Sequence, residues 1–257
     1  MEYGICHLGI IPGRADASDK AEMVTQILFG EHFEILEQRD KWIRIKSAHD
    51  NYECWICHKQ WMEITNEDYD NYSINEFVTV SEKWTHITHS KSGVQLPVSC
   101  GAILPHFQNG RFRIGGEEYH YAGNIASKVV EDFEDFAMVL LNTPYLWGGR
   151  GPLGIDCSGF SQLIYRQLGY SIPRDAYQQV QEGETVDFPD FAQPGDLVFF
   201  DNEEGEINHV GLVLEKGKVI HASGKVRIDL LDHHGLYADD HNKYTHKMRI
   251  IKRILKN

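Results

Sequence analysis

The sequence has no apolar run approaching the roughly 18 residues that a membrane-crossing helix needs. It is also short of cations, with 25 Lys and Arg against 38 Asp and Glu, a formal charge of −13 over 257 residues. That sign makes a poor partner for nucleic acid or an anionic membrane surface, since both require clustered cations to neutralise phosphates. The opening residues, MEYGICHLGIIPGR, hold neither a basic stretch nor a long apolar one, and Arg14 is the first permanent cation, so no secretory leader is visible. Cysteine is scarce and irregularly spaced, at positions 6, 54, 57, 100 and 157. An odd number of this kind argues against a disulfide framework and fits a reduced, cytoplasmic setting; a periplasmic or secreted location would require a leader already removed. What remains is ordinary for a globular protein, 42% apolar and 25% charged, and the length fits one large or two to three small domains.

Over the first 120 or so residues the apolar positions fall in short runs: MVTQILFG, HFEILEQ, KWIRIKS and YECWICHKQWMEI. Turn residues at Gly30-Glu31, Arg39-Asp40 and His49-Asp50-Asn51 punctuate them, which predicts strands. The acidic, polar stretch Thr65–Asn75 reads as a linker, after which come EFVTVSEKW, THITHS, GAILPHF, RFRIG and EEYHYAG. This spacing predicts two small all-β barrels, over 1–66 and 67–122. Past Gly123 the pattern changes. Val129, Val130, Phe133, Phe136, Ala137, Leu140 and Leu141 form a helical stripe over Ser127–Leu141, ended by Pro144. The glycine-rich loop WGGRGPLG leads to Cys157, and Phe160, Leu163, Ile164, Gln167 and Leu168 mark a second helix stopped by Gly169. LVFF, HVGLVLE, KVIHAS and MRIIKRIL then read as strands, so 123–257 is expected to be an α+β domain with a largely antiparallel sheet.

Cys157 sits where the glycine loop meets the helix. The first-turn N–H groups and the positive end of the helix dipole favour a thiolate there, although free cysteines are more often packing residues. Two histidines sharpen the reading. A three-residue hairpin loop over 215–217, with Gly217 left-handed, pairs Leu214 with Lys218 and sets residue 211 opposite 221. His209 and His221 then share a sheet face as diagonal neighbours; a two-residue turn would put them on opposite faces. The first register supplies a nucleophile, a base and a group that orients the base. Without Cys157, two strand histidines would read as ordinary.

The blocks PYLWGGRGPLGIDCSGF, RDAYQQ, QPGDLVFF, NHVGLVL and VIHASG, in this order across Thr143–Ser223, resemble the NlpC family of bacterial cell-wall cysteine peptidases. The resemblance implies a papain-like α+β fold with Cys157 as nucleophile, His209 as general base and His221 as the polar third member. It gives Tyr145 a supporting role at the substrate carbonyl. The subgroup it resembles most carries bacterial SH3-like domains ahead of the peptidase domain. TQILFGEHFEILEQRDKWIRIK looks like such a barrel, and NYECW resembles its Gly-Tyr-x-Gly-Trp strand with Asn51 and Cys54 in place of the glycines. In that subgroup Asp156 would meet the amine of a free L-alanine and Ser158 would help hold the stem, while Glu22 and Tyr52 would complete the amine pocket. A plain helix N-cap is the alternative for Asp156; an exposed Glu and a core Tyr are the alternatives for Glu22 and Tyr52.

Other motifs carry less. Cys54-Trp-Ile-Cys57 has no second ligand pair at zinc-site spacing and reads as packing within a strand. Histidines 233, 234, 241 and 246 read as a solvated loop. WGGRGPLG lacks the G-K-[ST] ending of a phosphate loop, and Glu131, Asp132, Glu134 and Asp135 read as the wet face of a helix. The expected function is therefore a γ-D-glutamyl-diamino-acid endopeptidase that needs no cofactor or metal, takes murein peptides as substrate, and serves the recycling of wall peptides. The competing readings are a general endopeptidase of intact peptidoglycan, a non-catalytic wall-binding module, and an acyltransferase or amidase acting on lipids.

Overall fold

The computed structural model describes residues 2–74, 77–126, 133–240 and 242–255. They form two compact units, one of Met1–Ser127 with Trp147–Pro152, the other of Lys128–Leu146 with Leu153–Asn257. In the first unit the turns anticipated from sequence are where the backbone turns left-handed. Gly30, Asp40 and Asn51 have φ of 80, 50 and 58°, and glycine, Asp and Asn enter that region most readily. Between these turns lie His32–Arg39, Trp42–Ser47 and Glu53–Cys57, paired antiparallel in a seven-stranded sheet. Phe33, Ile35, Ile43, Ile45, Cys54 and Ile56 project from them into a shared core.

Two strands of this sheet, Glu2–Ile5 and Ile10–Arg14, lie in a stretch that the apolar pattern left unassigned. Glycine and proline weaken a strand signal, and a glycine within a strand often marks close packing. Gly4 is such a position: a Cβ there would stand 2.5 Å from the Phe33 ring and 2.7 Å from the Trp61 ring.

The stretch expected as a linker is instead a helix, Asn66–Ile74. Its N-terminus is a capping box in which the Thr65 hydroxyl accepts the Asp68 N–H at 3.0 Å and the Asp68 carboxylate accepts the Thr65 N–H at 3.4 Å. Polar residues dominate the helix, but Tyr72 is buried and Tyr69 stacks on Tyr3 with ring centroids 4.2 Å apart. Beyond it, Gln95–Ser99, Trp84–His89, Glu117–His120 and Arg111–Ile114 form a four-stranded antiparallel sheet in that order. Ile5, Phe29, Ile64 and Tyr72 share one core with Val80, Ile87, Val98 and Phe112, so the β-structure on both sides of this helix is a single packed body.

The loop Trp147–Pro152 belongs to this first unit. Gly148, at φ 74°, lies where a Cβ would come within 2.3 Å of the Met23 carbonyl oxygen. Arg150 follows, donating to the Gln26 carbonyl at 2.8 Å and to Glu31 Oε2 at 3.0 Å, with both charged side chains only 3% exposed. Removing one partner of a buried ion pair leaves the other uncompensated, at a cost of roughly 3–5 kcal/mol. Arg150→Met is therefore expected to lower unfolding stability by that amount, read as a lower midpoint in urea at unchanged slope. A loss within about 0.5 kcal/mol would mean that the pair adds nothing.

In the second unit the described part of the helix expected over Ser127–Leu141 is Phe133–Val139; residues 127–132 lie outside the described residues. The helix Cys157–Gln167 is buried along its whole length rather than on one stripe, as the central element of a domain must be. It packs against Phe133–Val139 and against strands Ile207–Val213 and Lys218–Ser223. The sheet is antiparallel, in the order Glu184–Val186, Lys243–Arg253, Leu197–Asp201, Ile207–Val213, Lys218–Ser223, Lys225–Asp232, Gly235–Ala238. Lys243–Arg253 also pairs with Gly235–Ala238, so six strands close on themselves as a barrel. Consecutive strand segments after the helices predicted the antiparallel sheet but not the closure, because which strands meet is set by a strand longer than the apolar run MRIIKRIL.

Candidate active site

The backbone changes course at Asp156. Its φ and ψ of −93 and 175° are extended, its carboxylate accepts the Gly159 N–H at 2.7 Å, and the helix begins at Cys157. The same carboxylate holds Arg174 through two bonds, 3.0 Å to Oδ1 and 2.6 Å to Oδ2, and the Ser158 hydroxyl accepts a third from Arg174 at 2.9 Å. The Gln179 amide donates to the carbonyls of Ser158 at 3.0 Å and Pro173 at 2.8 Å. Asp156 and Ser158 thus brace the first helical turn against the segment 173–179, which fixes where the Cys157 side chain emerges.

The thiol is buried, and its electrostatics differ from the expectation of a thiolate held by the helix dipole. Burial, followed by the neighbouring Asp156 charge, pushes its pKa up to about 12; bonding to the backbone at Val210 and Ser158 and the Arg174 charge pull the other way without winning. Desolvation disfavours the anion more than the partial charges of the helix terminus favour it. Cys157 rests as a neutral thiol against the backbone of the residue that follows His209.

Strands Ile207–Val213 and Lys218–Ser223 pair Gly211 with His221, Leu212 with Ile220 and Val213 with Val219. Leu214 N–H donates to the Lys218 carbonyl at 2.8 Å, and Gly217 is left-handed at φ 68°. This is the register derived from the three-residue loop, and it puts both histidines on one face. Their rings meet edge to face, with His209 Nε2 2.8 Å from His221 Nδ1. Gly211 opposite His221 makes room for this, since a Cβ there would lie 2.5 Å from Val219 Cγ1 and 3.0 Å from His221 Cβ. Burial, then the proximity of His221 and His246, holds His209 well below the ordinary imidazole pKa, so it is a neutral ring at physiological pH.

His246 was expected in a solvated loop. It lies instead in strand Lys243–Arg253, half-buried, with its ring stacked on His209 at 4.2 Å between centroids and 22° between planes. Burial and His221 draw its pKa down to about 4. The strand was hidden because its first half, KYTHK, is polar on both faces. His233 and His234 are exposed in a turn, and His241 lies outside the described residues. Ring nitrogens of His209, His221 and His246 lie within 4.8 Å of one another and could hold a metal ion. Two of those rings are stacked and two are bonded to each other, however, so their lone pairs do not converge as metal ligands do.

Tyr145 is fixed by its N–H to the Gly224 carbonyl at 2.9 Å, and a bridge joins it to Ile155. Burial, then Cys157 and Asp156, raise its phenol pKa, which keeps it a neutral hydroxyl beside the thiol. Glu22 and Tyr52 belong to the first unit. Glu22 accepts the Trp147 indole N–H at 2.5 Å, and half-buried Tyr52 donates its backbone N–H to Asp50 at 3.0 Å. Cys54 and Cys57 lie in a strand, and all five cysteines are free.

Asp229 was missed. Its carboxylate, buried in strand Lys225–Asp232, accepts from His221 Nε2 at 3.0 Å and from Arg227 at 3.0 and 2.7 Å. The signal was available: a tight turn at Gly224 pairs Ser223 with Lys225 and His221 with Arg227, so odd-numbered residues of KVRIDLL face the histidines.

A neutral resting thiol has a measurable consequence. Alkylation of Cys157 by iodoacetamide is expected to be slow at pH 7 and to quicken about tenfold per pH unit toward pH 9, because only the thiolate reacts. Mass mapping of the modified peptide over pH 5–9 checks this. A rate independent of pH across 5–8 would reveal a standing thiolate–imidazolium pair instead.

The NlpC/P60 family model matches residues 142–248, and that of the bacterial dipeptidyl-peptidase Sh3 domain matches residues 13–60. The Gamma-D-glutamyl-L-lysine dipeptidyl-peptidase of Bacillus subtilis (strain 168) is 32% identical over 217 residues, which cover 77% of this chain and 71% of that protein. The protein of the same name from Bacillus cereus ATCC 10987 is 27% identical over 78% of this chain and 67% of its own length. In fold the chain is similar to the crystal structure of an NlpC/P60 family protein from Bacillus cereus ATCC 10987, with a TM-score of 0.82 and 21% identity over 99% of this chain and 100% of that one. Motif order, the helix-borne cysteine, the paired histidines and these likenesses lead to one conclusion: the chain belongs to the NlpC/P60 family of cysteine peptidases, with a bacterial SH3-like region ahead of the peptidase domain.

Proposed function

We propose that the protein hydrolyses the γ-D-glutamyl–diamino acid bond of murein peptides that carry a free N-terminal L-Ala, releasing L-Ala-γ-D-Glu in the recycling of wall peptides. The observation that carries the reaction is the His209–His221 bond of 2.8 Å on the strand packed against the Cys157 helix. The substrate rests on the two dipeptidyl-peptidase relatives, whose similarity spans most of the chain. His209 takes the thiol proton as Cys157 Sγ attacks the γ-carbonyl of D-Glu, so that no standing thiolate is required. The same ring returns the proton to the leaving amine of the diamino acid. Water, deprotonated by His209, then cleaves the thioester and frees the dipeptide and the thiol. Tyr145, a neutral hydroxyl beside the thiol, serves as a donor to the carbonyl oxygen.

A second reading, an endopeptidase of intact peptidoglycan, is favoured by one observation. The Asp156 carboxylate, the expected partner of a substrate ammonium, already holds the buried guanidinium of Arg174. The two readings differ in the substrate's amino end. Hydrolysis of L-Ala-γ-D-Glu-diamino acid and of its N-acetylated form, followed by mass spectrometry, separates them. The proposal expects kcat/KM on the free amine to be roughly 30-fold or more above the acetylated form, since a buried ionic contact left unmatched costs about 2 kcal/mol or more. Equal rates would sustain the second reading.

The nucleophile has its own control. Cys157→Ala is expected to abolish product formation on either substrate with the circular-dichroism spectrum intact. Cys6, Cys54, Cys57 and Cys100, each changed to Ala, should leave it in place. An active Cys157→Ala protein would remove the thiol mechanism altogether.

A further inference from the structure

A histidine is an ambiguous third member for a catalytic set. A neutral imidazole carries one N–H and one bare nitrogen, and in a buried site the hydrogen-bond partners set which is which. In this protein His221 Nδ1 meets His209 Nε2 at 2.8 Å, and two proton orders satisfy that bond equally. In one, His209 donates and keeps its Nδ1 bare for the thiol proton. In the other, His221 donates, the His209 proton sits on Nδ1, and the ring cannot act as a base there.

The far side of His221 resolves the ambiguity. Its Nε2 lies 3.0 Å from Asp229 Oδ2, with both side chains buried. Burial alone would raise the Asp229 pKa, yet the bonds from His221 and Arg227 hold it below the usual carboxylate range, so it is ionised and can only accept. Arg227 occupies the other oxygen through Nε at 3.0 Å and Nη2 at 2.7 Å, and reaches on to Asp240.

We infer that Asp229, anchored by Arg227, is a positioning residue that sets the tautomers of two histidines in series and so leaves His209 Nδ1 bare to act as the base. An acceptor at Oδ2 puts the His221 proton on Nε2. In the neutral ring Nδ1 is then an acceptor, which puts the His209 proton on Nε2. The inference rests on the assignment of His209 as base made above, but the tautomers can be read without it.

The chemistry makes an unusual ordering of variants. In Asp229→Asn the guanidinium claims the amide oxygen, because its N–H groups cannot face an NH2. The NH2 then points at His221 Nε2 and reverses both tautomers. Asp229→Ala removes the instruction without reversing it. A merely structural role would rank the isosteric Asn above Ala. The inference ranks it below: kcat on the murein tripeptide should fall by roughly 10³–10⁴ in Asp229→Asn at little-changed KM, the scale of a wrong tautomer in a serine-protease triad. Asp229→Ala should remain about tenfold or more faster than Asp229→Asn. Nitrogen-15 spectra of the histidine-labelled full chain give the direct readout, with both rings protonated on Nε2 in the wild type and on Nδ1 in Asp229→Asn.

The wild-type spectrum decides the matter even if a variant does not fold: a His221 proton on Nδ1 overturns the inference. So does an Asp229→Asn protein that is at least as active as Asp229→Ala and keeps the wild-type tautomers. Reversed spectra with undiminished kcat would uphold the tautomer control and overturn the role of His209 as base.

Discussion

Slipping the pairing of Ile207–Val213 with Lys218–Ser223 by a single residue would send His209 and His221 to opposite faces of the sheet, because side chains alternate with a period of two. The loop of residues 215–217 is what prevents it. Its length sets the register, Gly217 supplies the left-handed turn, and Gly211 leaves the space beside His221 that lets the rings bond. The Cys157 helix lies on these two strands, so the same register decides which side chains of the sheet face it.

The site is also unusually dry. Cys157, His209, His221 and Asp229 are all buried, and the charged groups among their neighbours come in pairs: Asp156 with Arg174, Asp229 with Arg227. In such surroundings a free charge is costly, which favours a neutral Cys157 thiol and a neutral His209 imidazole. In the proposed mechanism, charge would separate only when a carbonyl is there to be attacked. A resident thiolate would be open to oxidation and adventitious alkylation; a buried thiol is far less so.

Much of this was legible in the sequence because it is local. Gly217 and the spacing from 209 to 221 predicted a register; the glycine loop before Cys157 predicted a helix start; the short apolar runs LVFF, HVGLVLE and KVIHAS predicted the strands. What escaped depends on partners far along the chain. His246 is one residue of a strand whose first half is polar, and only barrel closure brings it onto His209. Thr65–Asn75 looked like a linker because its residues are acidic, though Thr65 and Asp68 carry a capping signal. The thiol's raised pKa could not be read either, since burial depends on the whole unit and opposes the local dipole argument. Asp229 lies between these cases. Its face follows from the turn at Gly224, but only once His221 has been fixed by the preceding hairpin.

Barrel closure also bears on the order of events during biosynthesis. The strand Lys243–Arg253 pairs with Leu197–Asp201 on one side and Gly235–Ala238 on the other. Until it emerges from the ribosome, the cysteine and both paired histidines have already been made, but the barrel cannot close and Leu197–Asp201 and Gly235–Ala238 lack the strand that joins them. Domains fold as units as they are synthesised, and loop closure over this distance must precede its reward. Without this strand the sheet would keep two unpaired edges, of the kind that recruit other chains. Closure of the barrel and pairing of both its edges therefore depend on one strand, Lys243–Arg253.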